Sequence, residues 1–261
     1  MLSKRENLWA QASGTMTIAK ESFVPAEIWK DREVAKAFLT ERSLMIPDRP
    51  RQLEVLLQVL RHWRPDAGRI LDLGAGDGIL LGTLLEAFPA AEGIAVDFSP
   101  LMLDQARQRL SKFRESANTQ EGDLQTPAWK KSLTGKFDII VSGLAIHHLW
   151  DERKRELYRE IFDLLLPGGV FLNCEHVASA ASAIAEMWDN LAVEHLYQRR
   201  REKGDIVTLE QVRSEFMERP DRAANILALV EAQCHWLREI GFQDVDCFWK
   251  YFELAIFGGR K

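Results

Sequence analysis

Several signals are rare or absent in this 261-residue sequence, and each absence argues against a class of protein. Its three cysteines, Cys174, Cys234 and Cys247, are widely spaced and form no C-x-x-C pair, which argues against a disulfide framework or a zinc site. No apolar run approaches the roughly 20 residues of a membrane-spanning helix, and the amino terminus lacks the apolar core of a secretory signal. We therefore expect a cytoplasmic protein with buried, reduced thiols.

An excess of positive charge is also missing. The sequence has 34 Lys and Arg against 39 Asp and Glu, a net charge of -5, which argues against a general nucleic-acid or anionic-membrane surface. A run of three arginines between Gln198 and Lys203 could grip phosphate, although such a run is more commonly a solvated helix end. Neither a membrane nor a nucleic acid is therefore the expected partner.

The most informative stretch that is present runs from Arg69 to Leu80, with the sequence RILDLGAGDGIL. Its apolar residues predict a parallel strand buried on both faces. The glycines at 74, 76 and 78 allow a sharp turn and let a ligand approach the backbone closely. A helix beginning at about Ile79 would point its first amide groups at that ligand. The stretch predicts a nucleotide-type cofactor site.

Strand and helix signals alternate downstream of this turn, which predicts an α/β fold with a mostly parallel sheet and helices on both faces. The last two strands are separated by too few residues for a helix and must form an antiparallel hairpin. The predicted strands cover residues 70–73, 93–97, 119–124, 137–141, 170–174, 245–249 and 252–257, and the helices cover 25–42, 51–63, 79–88, 101–113 and 151–166.

The alternation stops between residues 178 and 240, where three helical stretches fit, at 178–201, 208–217 and 220–240. Such an excursion between two strands is where α/β enzymes often place a lid. We therefore predict an amino-terminal helical cap at residues 1–50 and a core formed by 51–177 and 241–261. The excursion at 178–240 is predicted to be a helical insertion leading into the last core helix.

The glycine turn alone leaves an NAD-dependent oxidoreductase open. The dinucleotide fingerprint is G-x-G-x-x-G, but the third glycine comes one residue early here, at Gly78. Asp97, about 20 residues further on, suits a ribose diol in NAD or in any other adenosine cofactor. The acid therefore does not discriminate between these cofactors.

Five motifs in register, from about residue 51 to 261, resemble those of the class I S-adenosylmethionine-dependent methyltransferases. They are ILDLGAGDG at 70–78, VDFSPLM at 96–102, GDL at 122–124, FDIIVSGLAIHH at 137–148 and LPGG at 166–169. The Gly241-Phe242 pair and the closing hairpin also match that family. The resemblance implies a seven-stranded Rossmann-like sheet in the order 3-2-1-4-5-7-6 with strand 7 antiparallel, and S-adenosylmethionine as the cofactor.

The resemblance also implies ten cofactor contacts. Asp72 would help place the amino group, Asp97 would accept from both ribose hydroxyls, and Asp123 with Leu124 would bond the adenine edge. Gly74 and Gly76 would pass under the methionine part of the cofactor. Phe98 and Met102 would pack on the adenine, and Gly143 with Leu144 would line the floor near the sulfonium. The ten residues are Asp72, Gly74, Gly76, Asp97, Phe98, Met102, Asp123, Leu124, Gly143 and Leu144.

Two adjacent histidines are the candidate catalytic residues. His147 and His148 follow the fourth strand, at the sheet edge where ligands bind in open α/β folds. One of them could act as a general base or orient the acceptor, and a capping or packing role fits equally well. Glu175 and His176 end the next strand and could complete a metal site, but many enzymes of this family need none, and we predict no metal.

The methyl acceptor is expected to be a small molecule. Methyltransferases acting on planar amines often carry Asn or Asp followed by Pro-Pro and an aromatic after strand four, whereas this chain has SGLAI at 142–146. The tail at 223–261 distantly resembles carboxy-S-adenosylmethionine synthases, but Trp236 stands where that family has a carboxylate-binding arginine. Such a synthase and a non-catalytic cofactor-binding protein are the alternatives.

Overall fold

One seven-stranded sheet organises the computed structural model, which describes residues 46–261. The strand order is β3-β2-β1-β4-β5-β7-β6, and β7 runs antiparallel to both of its neighbours. This confirms the predicted topology. The strands are β1 (Arg69–Leu73), β2 (Glu92–Asp97), β3 (Ala117–Glu121), β4 (Phe137–Gly143), β5 (Leu165–His176), β6 (Gln243–Tyr251) and β7 (Leu254–Arg260).

Seven α-helices accompany the sheet within the described residues, and short 3-10 turns cover Ser111–Ser116, Pro127–Lys130, Ile146–His148 and Pro220–Ala224. The helix predicted for 25–42 and most of the amino-terminal cap lie outside the described part of the chain. No helix described is both long enough and apolar enough to cross a bilayer. The helices are α1 (Arg49–Trp63), α2 (Ile79–Ala87), α3 (Pro100–Leu110), α4 (Asp151–Leu164), α5 (Ser182–Glu202), α6 (Leu209–Glu218) and α7 (Val230–Ile240).

The apolar runs of the central strands place core residues on both faces of the sheet. In β1, Leu71 and Leu73 pack on one side with α4 and α7, and Ile70 packs on the other side with α1 and α2. All three side chains are fully buried. Because both faces are covered, the sheet exposes its carboxyl edge to ligands. Of the cysteines, two are buried free thiols as expected, whereas Cys247 in β6 is only partly buried.

Strand β5 begins five residues earlier than predicted. The predicted strand starts at residue 170, whereas the structure also includes the PGG sequence at 167–169 in the strand. The reason is pairing with the last residue of the chain: the Gly168 amide donates to the Lys261 carbonyl at 2.8 Å, and the Lys261 amide donates to Gly169 at 2.9 Å. Gly168 has a φ of 73°, which glycine adopts without strain.

The prediction of one continuous helix over 220–240 is wrong. A 3-10 turn, Pro220–Ala224, is followed by a non-helical strap, residues 225–229, and only then by α7. The backbone of the strap bonds to the sheet edge: the Ile226 amide donates to the His147 carbonyl at 2.8 Å, and the Ala178 amide donates to the Ala228 carbonyl at 3.0 Å. These bonds replace the helical ones and tie the excursion to the ends of β4 and β5.

Candidate active site

A cleft of about 960 Å³, partly open to solvent, lies at the carboxyl ends of β1, β2 and β4. Every one of the ten predicted cofactor residues lines it, from Asp72 in β1 to Leu144 after β4. The fold therefore brings together residues that are 72 positions apart in the sequence, and the individual contacts assigned to them stay predictions.

The glycine turn after β1 contains two glycines with different surroundings. Gly74 and Gly76 have φ values of 63° and 55°, in the region that favours glycine. A Cβ added to Gly74 would lie 2.2 Å from the Cβ of Ala145, so the turn after β4 packs directly against it. A Cβ added to Gly76 would meet no described atom within 4 Å. Gly76 thus leaves open space at the cleft wall, where a ligand can approach the backbone.

Asp72 carries a buried carboxylate oxygen that lacks a partner. Its Oδ2 accepts from the Leu81 amide at 3.1 Å, whereas Oδ1 has no hydrogen bond within residues 46–261. Burial, with a smaller repulsion from Asp97, raises the pKa of Asp72 to about 8. Buried polar atoms are nearly always satisfied in native proteins, so Oδ1 fits a ligand donor such as an ammonium group.

Asp97 links the loop after β1 to the loop after β2. Its Oδ2 accepts from the Gly76 amide and its Oδ1 from the Ser99 amide, each at 2.9 Å. Burial raises the pKa of this carboxyl, although the amide donors oppose the shift. Each carboxylate oxygen can accept a second hydrogen bond, which leaves capacity for the two ribose hydroxyls that the sequence predicts as ligands.

A buried ion pair supports the loop after β3. The Leu124 carbonyl accepts from Arg153 Nε at 2.8 Å, and Arg153 also bonds both oxygens of Glu160, at 3.1 and 2.8 Å. Trp129 Nε1 donates to the same Glu160 carboxylate at 2.6 Å. The side chain of Asp123 accepts from the Gln125 amide at 2.9 Å and closes the turn. Sequence reasoning missed Arg153 and Glu160, because no motif marks them.

The turn after β4 is strained. Leu144 has a φ of 55°, which costs a residue other than glycine about 1–3 kcal/mol, and its amide donates to the Cys174 carbonyl at 2.8 Å. The next residues form the Ile146–His148 3-10 turn. Strain of this kind clusters at functional sites, and Leu144 itself lines the cleft.

The structure gives the two histidines different positions. His148 lines the cleft, whereas His147 is not part of the lining. The Nδ1 atom of His148 lies 3.0 Å from the Ala224 carbonyl, which can only accept, so Nδ1 carries the proton and Nε2 is the basic nitrogen of the neutral ring. Burial, reinforced by the neighbouring His147, lowers the pKa of His148 well below 6.5.

Glu175 bonds both the ring and the backbone amide of His147. The Nδ1 atom lies 2.5 Å from Glu175 Oε1, and the His147 amide donates to Oε2 at 3.0 Å. Glu175 is fully buried and also accepts from Asn173 Nδ2 at 3.2 Å. Burial lowers the pKa of His147 well below 6.5 and raises that of Glu175. This arrangement makes Glu175 the support of the histidine turn.

His176, the other predicted polar residue at this edge, bonds away from the cleft. Its Nε2 lies 2.9 Å from Glu253 Oε2, in the turn between β6 and β7. Within residues 46–261, no group of three or more His, Cys, Asp or Glu side chains is arranged to hold a metal ion. Glu175 pairs with His147, and Glu253 pairs with His176.

Arg49, at the start of α1, also lines the cleft, and no sequence pattern singled it out. It is the only lysine or arginine among the described residues of the lining. Trp236, by contrast, is buried in α7, where Arg155 lies 4.6 Å from its ring centre, and it is not part of the lining.

Comparison with known proteins gives a domain match and several relatives, two of which are described here. Residues 70–169 match a family model described as a methyltransferase domain. The chain is 22% identical over 235 residues to the carboxy-S-adenosyl-L-methionine synthase of Campylobacter lari, covering 88% of this chain and 93% of that protein. It is 36% identical over 117 residues to the malonyl-[acyl-carrier protein] O-methyltransferase of Methylococcus capsulatus, covering 44% of this chain and 40% of that protein.

Among solved structures, the mitomycin 7-O-methyltransferase MmcR matches with a TM-score of 0.59 at 15% identity, over 92% of this chain and 61% of that one. Human N-acetylserotonin methyltransferase in complex with S-adenosylmethionine matches with a TM-score of 0.58 at 18% identity, over 92% and 59%. The chain spans about three fifths of each, and these likenesses concern the fold. The domain match identifies residues 70–169 as a methyltransferase domain, and the strand order of the sheet is the one that the sequence predicts.

Proposed function

We propose that this protein transfers a methyl group from S-adenosylmethionine to a small-molecule acceptor. The observation that carries the proposal is that all ten residues assigned to the cofactor line a single cleft at the carboxyl edge of the sheet. The orphaned Oδ1 of Asp72 matches the cofactor's amino group, and the open space at Gly76 matches a ligand lying against the backbone.

The cofactor supplies a methyl group that is already activated by its sulfonium, so the protein mainly has to hold donor and acceptor in line and exclude water. Asp97 fixes both loops that would hold the ribose. His148 would accept the proton of an acceptor that arrives protonated, because its Nε2 is the basic nitrogen of a ring that is neutral at pH 7. Glu175 would act only through the position of the histidine turn.

A small organic acceptor is supported by three observations. The net charge is -5, and SGLAI stands where methyltransferases of planar amines often carry a Pro-Pro motif. The three arginines near the end of α5 are engaged within the chain: Arg199 pairs with Glu202 at 2.6 Å, Arg200 pairs with Glu215, and Arg201 lies 5.7 Å from the ring centre of Tyr197.

Calorimetry with S-adenosylhomocysteine, the demethylated product, tests the cofactor half of the proposal. Asp97→Ala should weaken binding at least tenfold, since it removes the ribose acceptor and the bond that holds the Gly76 amide. Asp104→Ala, at an exposed acid on α3, is the matched control and should bind like the wild type. Failure of the wild type to bind at submillimolar concentration would refute the proposal.

Mass spectrometry of metabolite extracts incubated with the protein and a labelled methyl donor tests transfer and identifies the acceptor. With that acceptor, His148→Ala should lower turnover more than cofactor affinity, whereas His235→Ala, at an exposed histidine of α7, should change neither. Equal losses of turnover and cofactor affinity in His148→Ala would remove its assignment as the base. Cofactor binding without any labelled product would favour the non-catalytic alternative.

The alignment along nearly the whole chain supports a second candidate, a carboxy-S-adenosylmethionine synthase-like activity. The buried Trp236, at the position where the sequence resemblance expects an arginine, speaks against it, since an indole in the core binds no carboxylate. The same mass spectra separate the two candidates. A synthase would yield a carboxylated form of the cofactor, and a methyltransferase would yield a labelled acceptor together with S-adenosylhomocysteine.

A further inference from the structure

Arg49 lies in the wall of the cleft, and the proposed function assigns it no role. Arg49 and Asp72 line the same cleft, and the positive charge of Arg49 lowers the pKa of the Asp72 carboxyl. Yet the Oδ1 atom of Asp72 accepts no hydrogen bond from Arg49 or from any other described residue. A guanidinium and a buried carboxyl thus line one cleft without a direct bond at that oxygen.

The guanidinium of Arg49 is held in place by its own helix. Its Nη1 donates to Oε1 of Gln52, one turn further along α1, and the Gln52 side chain is fully buried. Arg49 also interacts with the thiol of Cys174 at the end of β5. Arg49 is only partly exposed, and with Gln52 as its partner it presents its planar fork at the cleft wall.

We propose that Arg49 binds the α-carboxylate of the cofactor's methionine part while Asp72 binds its α-ammonium. This inference rests on the proposed function and names the groups that recognise one end of the ligand. An α-amino acid carries its two charges on a single carbon atom, so their partners must be neighbours of opposite sign in the protein. Asp72 and Arg49 meet that requirement, and the guanidinium fork matches a carboxylate. The pair makes the cleft selective for the intact amino acid.

Calorimetry with two ligands tests this assignment: S-adenosylhomocysteine and its decarboxylated analogue, which keeps the amine. Arg49→Gln should weaken binding of S-adenosylhomocysteine about 10- to 100-fold and leave binding of the analogue unchanged within about twofold. Arg49→Lys keeps the charge without the fork and should lose less. Arg51→Gln, at an exposed arginine of the same helix, is the matched control and should change neither affinity.

The analogue also reports whether each variant still has a folded cleft. Equal losses for both ligands in Arg49→Gln, or no loss for either, would overturn the assignment of Arg49 and leave the proposed function standing. A wild type that binds neither ligand would overturn the proposed function and this inference together. Loss confined to the ligand that carries the carboxylate would establish the contact.

Discussion

Replacing Arg153 by methionine tests whether a buried ion pair supports the cofactor loop. Arg153 and Glu160 both lie on α4, each with a side chain only 10% exposed. The substitution keeps much of the apolar stem but removes the guanidinium, which makes two bonds to Glu160, one to the Leu124 carbonyl and one to the exposed Glu156. The Glu160 carboxylate and the loop carbonyl then lose their shared partner.

The size of the effect follows from what Glu160 retains. Breaking a buried ion pair by removing one partner costs about 3–5 kcal/mol. Glu160 keeps the bond from Trp129 at 2.6 Å and a second cation, Lys130, at 3.8 Å, so the cost should fall near the lower limit, about 3 kcal/mol. For a chain of this size, that corresponds to a fall in melting temperature of about 6 to 12 °C.

Urea unfolding at neutral and acidic pH provides the assay. Burial opposes ionisation of Glu160, but hydrogen bonds from Arg153 and Trp129 outweigh it and hold the pKa of that carboxyl below 4.5. An acid with a lowered pKa stabilises the fold above its unfolded value and loses that contribution as the pH falls through the folded value. The difference between wild type and Arg153→Met should therefore shrink below about pH 4.5.

Arg159→Met is the matched control, since Arg159 is an exposed arginine on the same helix. It should change the free energy of unfolding by less than about 0.5 kcal/mol. In addition, Arg153→Met should weaken S-adenosylhomocysteine binding, because the loop of Leu124 lines the cleft. A loss of stability no larger than that of Arg159→Met, or one that does not depend on pH, would refute the reasoning.

Three further predictions concern the cleft. Gly74→Ala should destabilise the protein by more than about 2 kcal/mol, and Gly76→Ala by about 1–2 kcal/mol. Both substitutions strain the backbone, but only the new Cβ at position 74 clashes with a neighbour, and equal urea midpoints for the two variants would contradict this. Asp72→Asn should become more stable relative to wild type as the pH rises from 4 to 9. The reason is that a carboxyl whose pKa is raised to about 8 in the folded state makes the wild type less stable as the pH rises through that range. Parallel pH profiles of the unfolding free energy would reject this prediction. With saturating cofactor, turnover should not fall between pH 8 and 6.5, because His148 stays neutral over that range. An acid limb with a midpoint above 6.5 that His148→Gln abolishes would show the opposite.

The features that the sequence predicted correctly have local signatures. The apolar run of β1, the glycine turn and the acid that ends β2 are each recognised from a short segment of the sequence, so no distant contact is needed to predict them. The closing hairpin followed from the short spacing between its strands. Because the carboxyl ends of the parallel strands meet at one edge, placing these residues along the chain also placed them in the cleft.

The features that the sequence did not predict depend on distant partners. Arg153 reaches Leu124 across 29 residues, and Arg49 reaches the cleft only through the packing of α1 on the sheet. The sequence of residues 225–229 is compatible with helix, but the backbone bonds to His147 and Ala178 hold it in another conformation. Intrinsic helix propensity is a weak preference that tertiary bonds readily override.

The strap, residues 225–229, also limits how acceptor specificity can diverge in relatives of this protein. The His148 ring and the His147 carbonyl both bond to the chain between Ala224 and Ile226. A change of acceptor that replaces helices α5 and α6 must therefore either preserve this short backbone segment or rebuild the histidine turn. Grafting the excursion of another methyltransferase onto this core should succeed only when the graft ends before residue 224, which makes that residue the natural junction for chimeras.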